Sequence, residues 1–147
     1  MKTLRRFAFV IACVAATVPA TASAANPSAK RIIAKFNKVR ADHGLPMLRE
    51  TASLDRSARG VARNLIRTQR FTHGAGAPTG FRHSGEILAR RSGLRSEPAL
   101  TLRQWLASPP HAALILDPSF RYVGASPAKG KFGGKATTIW VAHFGAN

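Results

Sequence analysis

Cysteine is almost missing from this chain: Cys13 is the only one in 147 residues, so no disulfide can form within it. Acidic residues are nearly as scarce, six against 23 lysines and arginines, for a formal net charge of +17. The main apolar run, residues 7–20, falls short of the roughly 20 residues a membrane-spanning helix needs. There is no internal repeat and no long low-complexity linker. There is also no His-Glu-x-x-His pairing of metal ligands and no nucleophile-elbow motif. These absences exclude a disulfide-framed scaffold, a solenoid and two hydrolase classes that announce themselves in sequence. What remains is one domain with enough length for a real core.

The first 24 residues read as a secretory signal peptide. Lys2, Arg5 and Arg6 form a positive start, residues 7–20 the apolar stretch, and Ala22-Ser23-Ala24 the small-residue cleavage site. The rival reading is a lipid anchor on Cys13, against which the apolar run continues past the cysteine. The expected mature domain is residues 25–147. It keeps 20 basic residues against six acidic ones, a net charge of +14, and its stability must come from packing. Such a charge favours an anionic cell-wall polymer or lipid surface as partner, while export argues against nucleic acid. No feature calls for an oligomer, so a monomer is the default.

Helical spacing of Ile32, Phe36 and Val39 predicts a first helix over 28–42, stopped by Gly44. Leu45-Pro46-Met47-Leu48 reads as a short apolar crossing on the core. A second helix over 51–68 carries Leu54, Ala58, Val61, Ala62 and Leu65 on one face, and Arg56, Arg59, Arg63, Arg67 and Arg70 as a basic stripe on another. The stripe is a solvated face or a docking strip for phosphate or carboxylate groups. Residues 71–80 read as loop and 81–89 as a short strand or extended turn. Pro98 starts a helix that buries Leu102, Trp105 and Leu106. Ser108 is placed to cap a further helix opened by Pro109, with His111 in its first turn. Residues 120–126 and 137–144 read as strands joined by a long loop containing Pro127, Gly130, Gly133 and Gly134. In the second of them Ile139, Val141 and His143 share one face, Trp140, Ala142 and Phe144 the other. Helices followed by a hairpin indicate an α+β domain.

Three side chains are candidates for one site: His73, Glu86 and His111. Two imidazoles and a carboxylate suit zinc or another divalent cation, or acid–base work in hydrolysis. Each also has a structural reading, and for Glu86, a lone acid among apolar neighbours, that reading is an ion pair with an arginine. His83 and His143 are fallbacks, His143 being expected on an exposed strand face.

The ordered motifs Phe36-Asn37-Lys38-Val39-Arg40, Gly44-Leu45-Pro46-Met47-Leu48, Phe71-Thr72-His73, Gly85-Glu86-Ile87-Leu88-Ala89, Trp105…Ser108-Pro109-Pro110-His111, Phe120-Arg121-Tyr122-Val123-Gly124 and Ile139-Trp140-Val141…Phe144-Gly145 resemble the CAP superfamily, the SCP-like extracellular domain, in its bacterial secreted branch. The resemblance implies an α-β-α sandwich with a small, largely antiparallel sheet between helices. It also implies a cleft where two histidines and two acids can bind zinc. His73, Glu86 and His111 match three of the four; Ser108 stands where many relatives have the second acid. The functions in view are a secreted binding module at the envelope or outside the cell, with a lipid, wall-polymer or protein ligand, and alternatively a metal-dependent hydrolase using His73, Glu86 and His111. The missing acid and missing nucleophile weigh towards no enzymatic activity.

Overall fold

A computed structural model describes residues 26–74 and 80–147; the expected leader, Cys13 and the tip of the 71–80 loop lie outside the described residues. The first helix, α1 (Pro27–Asp42), starts where its chemistry says it should. Pro27 occupies the first helical position, and the Asn26 side-chain oxygen accepts the Ser28 N–H at 2.9 Å. It ends at His43, and Gly44 turns the chain away at φ 68°. Two-residue β1 (Arg49–Glu50) leads to α2 (Ala52–Thr68), whose first turn is capped by Thr51. Then come β2 (His83–Ser92), α3 (Pro98–Leu106), α4 (Pro109–Ile115), β3 (Tyr122–Phe132) and β4 (Lys135–Ala146).

The four strands form one sheet in the order β1-β3-β4-β2, antiparallel except for the β1–β3 pair. Helices cover both faces, as expected of the α-β-α sandwich. On one side Trp140, Ala142 and Phe144 of β4 pack with Phe36 of α1, Trp105 of α3 and Ile115 of α4. On the other, Ile139 and Val141 pack with Ala58, Ala62 and Leu65 of α2. Central strand β4 is therefore buried on both faces from Thr137 to Ala146. The small faces of α2 bring its backbone close to the sheet. A Cβ at Gly124 would overlap the Leu54 carbonyl carbon and the Asp55 nitrogen, so only glycine permits this approach.

The strands are longer than expected. β3 runs through Pro127 and Gly130 to a two-residue turn at Gly133 and Gly134, both at positive φ, where a long loop was expected. Proline is tolerated because β3 has no strand on its outer side beyond Val123. The Ala125 N–H on that side goes to Asp55 Oδ1 instead, at 3.1 Å, and the position of Pro127, two residues on, points the same way. Burial, then the neighbouring Glu50 carboxyl, pushes the Asp55 carboxyl up to about 6. β2 likewise continues through Arg90, Arg91 and Ser92, which pair with Ile139, Thr138 and Thr137. Of the apolar crossing, Leu48 is buried but Met47 is 67% exposed. Ser108 does sit at the N-cap of α4, but its side chain makes no capping bond. Pro109 and Pro110 have already removed two of the N–H groups a cap would serve.

One basic residue of α1 does not face solvent. Arg40 is fully buried, on the same line as Ile32 and Phe36. Its guanidinium donates to four main-chain carbonyls: Nε to Pro46, Nη1 to Ile115 and Asp117, each at 2.8 Å, and Nη2 to Phe120 at 3.2 Å. One side chain thus joins α1, the crossing after it, the end of α4 and the entry to β3. Replacing Arg40 with Met strands four acceptors. Urea denaturation should show a loss of at least about 3 kcal/mol, with Arg40→Lys intermediate because an ammonium cannot span the fork.

Candidate functional site

Register brings two candidate residues together. Glu86 on β2 lies directly opposite His143 on β4, and both side chains point to the α2 face of the sheet. The Glu86 Oε2 accepts from His143 Nε2 at 2.9 Å. The other oxygen accepts from His73 Nδ1 at 2.9 Å and from the Gly74 N–H at 3.0 Å. Glu86 is therefore the hub of a His143–Glu86–His73 chain running from the interior to the surface: side-chain exposure is 0% at His143, 7% at Glu86 and 62% at His73. The arginine partner expected for Glu86 is not the one it takes; two imidazoles and a main-chain N–H neutralise it instead.

The hydrogen bonds assign the protons. A carboxylate accepts, so His143 carries a proton on Nε2 and His73 one on Nδ1. His143 Nδ1 is buried with no partner among the described residues. Burial raises the affinity of Glu86 for a proton. The bonds from His143, Gly74 and His73 outweigh it and hold the carboxyl below its ordinary range.

His111, half-buried on the first turn of α4, has its protonation suppressed by burial first and by the nearby His73 second. The His73 ring offers its Nε2 free of the Glu86 bond. Among the described residues no three His, Cys, Asp or Glu side chains are grouped to hold a metal ion. Two imidazoles thus stand in each other's field, one of them oriented by a carboxylate. His143, expected on an exposed face, is fully buried because α2 covers that side of β4. His83 goes elsewhere, stacked on Phe120 at 4.8 Å with Nε2 3.6 Å from Asp117 Oδ2.

The basic stripe is shorter than expected. Arg56, Arg63 and Arg67 are exposed along α2, while Arg59 is half-buried and close enough to Asp55 to favour its ionised form. Arg70 is off the helix. Gln69 takes a left-handed conformation at φ 57° and stops α2. Its carboxamide is fastened to the β3–β4 turn, donating to Lys131 O at 2.8 Å and accepting the Gly133 N–H at 2.7 Å. Arg70 instead lines a small cavity with Thr68, Thr72 and His73.

The family model of the cysteine-rich secretory proteins, CAP, matches residues 33–144. The chain belongs to the CAP family. No curated protein matches this CAP chain in sequence, but solved structures share its fold. An outer surface protein of Borrelia burgdorferi superposes with a TM-score of 0.63 at 23% identity, over 80% of this chain and 91% of that one. An extracellular SCP-domain protein of Bacillus anthracis gives 0.64 at 22% identity, over 82% of this chain but 40% of that longer one. NaASP2, a structure with Zn2+, gives 0.65 at 10% identity, over 84% and 82%. The CAP family is of extracellular type, and no described helix of this CAP domain is long and apolar enough to cross a membrane.

Because the folded Glu86 pKa is depressed, its stabilisation is present above the ordinary value of 4.5 and is lost as pH falls through the lower folded value. Glu86→Gln should cost about 2–3 kcal/mol at pH 7. The gap between wild type and variant in urea melts should close as pH drops below that window; a gap independent of pH would show that the carboxylate charge is not what the site uses.

Proposed function

We propose that this CAP protein is a binding module that acts outside the cell or at the envelope and docks on an anionic surface, wall polymer or lipid. The observation that carries this reading is the charge of the exposed face of α2. None of Arg56, Arg63 and Arg67 has a carboxylate within ion-pair distance among the described residues, in a chain with 23 basic and six acidic residues. Guanidinium groups spaced along one helix repel each other unless an anion lies across them. Retention on purified cell wall or on anionic liposomes should fall at least about tenfold between ~50 and ~500 mM salt, and Arg56→Glu/Arg63→Glu should weaken it at low salt. Retention indifferent to salt and to these substitutions refutes the docking face.

A second reading concerns a divalent cation, and the His73–Glu86 bond favours it. A metal-binding histidine usually gives its other ring N–H to a carboxylate, as His73 does, and His111 supplies a second imidazole beside it. A divalent ion held there would polarise a bound water or carbonyl. Both oxygens of Glu86 are engaged, so its role in this reading is to orient His73 rather than to act as a general base. Titrating Zn2+ into the protein should show binding that His73→Ala and His111→Ala each abolish and Glu86→Gln weakens about tenfold. Titration curves unchanged by these substitutions would dispose of the site.

A further inference from the structure

Where the last turns of α2 meet the start of α1, a cavity of about 450 Å3 opens. Its charged lining comes from two elements: Arg63 and Arg67 from α2, and Lys129 from β3. No acidic residue is among the described residues that line it. Arg67 bonds the neutral Asn64 carboxamide, at 2.6 Å, and none of the three cations has a carboxylate at ion-pair distance among the described residues. Ser28, in the first turn of the 16-residue α1, brings a hydroxyl to the wall; that turn carries no acidic side chain to cancel the positive end of the helix. The rest of the wall is mixed: Asn26 and Ser96 are polar, and Ile66 and Pro127 form an apolar strip.

Three cations converging on one concavity call for an anion with more than one charge and several oxygens. A carboxylate offers two oxygens and a single charge. A phosphate ester offers three acceptor oxygens, enough for two guanidinium forks and an ammonium. The volume lies within the range of small-molecule sites, roughly 300–1,000 Å3, and exceeds what a bare phosphate fills. The apolar strip of Ile66 and Pro127 gives the rest of such a molecule a surface to lie on.

We propose that this cavity is a binding site for a phosphate ester of a small polyol, with Arg63, Arg67 and Lys129 on the phosphate, Ser28 and Ser96 for the hydroxyls of the organic part, and Ile66 and Pro127 against its carbons. The inference deepens the docking-face reading and rests on it: the helix face that meets an anionic surface contains a pocket for one of its phosphate groups.

Isothermal titration with glycerol 3-phosphate tests it. The purified protein should bind one equivalent. Arg63→Gln/Arg67→Gln should weaken binding at least about tenfold, since it removes two charge-assisted forks from the phosphate. Arg103→Gln/Lys135→Gln removes the same charge from surfaces outside the cavity and should change binding less than about twofold. Equal losses in the two double variants would mean that net charge, not the pocket, holds the ligand, and would overturn the proposal. So would binding to phosphatidylglycerol vesicles with none to glycerol 3-phosphate, which would leave the docking face standing without its pocket. Pocket-dependent binding of glycerol 3-phosphate without retention on any anionic surface would support the pocket and refute the docking face alone.

Discussion

The guanidinium of Arg40 is the joint that ties α1 to the end of α4 and the entry to β3. It is a cation buried without a contacting carboxylate, and it is tolerable there because four carbonyl oxygens take its protons. Two of those carbonyls, Ile115 and Asp117, belong to the end of α4 and the turn after it, where unpaired helix carbonyls point outward in search of donors. The arrangement is reciprocal: the charge needs acceptors and the chain reversal needs a donor. Its consequence reaches the candidate site, because fixing the C-terminal end of α4 fixes its first turn as well. That turn is where His111 stands, half a helix away from the anchor. There burial, foremost, and His73, after it, suppress the protonation of the His111 ring.

The second constraint is the closeness of α2 to the sheet. Ala58 and Ala62 give the helix a shallow face, and Gly124 lets its first turn touch β3. With so little space between the layers, a polar pair on that side of the sheet cannot be hydrated. Glu86 and His143 are such a pair, opposite each other across β2 and β4. They persist because they satisfy each other and because the segment at His73 and Gly74 folds over the open end of the carboxylate. The depressed acidity range of Glu86 is thus a product of three directed bonds overcoming burial, and the orientation of His73 follows from the same bonds.

Much of the architecture was legible because it follows from period and punctuation. The lines Ile32–Phe36 and Ala58–Ala62–Leu65 gave the two core-facing helices, and the alternation through Ile139-Trp140-Val141-Ala142 gave a strand and the residues that share each of its faces. The strand ends were not legible: Pro127 reads as a terminator unless it is known that β3 is an edge there, and edge status is a property of the whole sheet. Of the candidate site, His73, Glu86 and the neighbourhood of His111 could be named from their types and order. His143 was misplaced, although a signal existed. It shares its face with Ile139 and Val141, and those need a covering helix, so His143 needed one too. Arg40 carried the same kind of signal, one turn beyond Phe36 on the buried line, and its charge concealed it.

Burial and exposure divide the histidines and arginines of this chain by task. Arg40 and His143 lie inside, where Arg40 donates to four carbonyls and His143 Nε2 to Glu86, so they stabilise and orient but meet nothing from outside. His73 and His111 stand at the edge, held in place by the buried set. Arg56, Arg63 and Arg67 stand exposed along α2, none paired with a carboxylate among the described residues. A face of that kind weakens the helix that carries it through repulsion, and the fold does not require it, since the packing stripe of α2 would be unchanged with neutral side chains there. The reading of the protein as a surface-binding module follows from this separation. The interior accounts for most of its own polar groups, and the arginines along α2 stand where an anion can reach them.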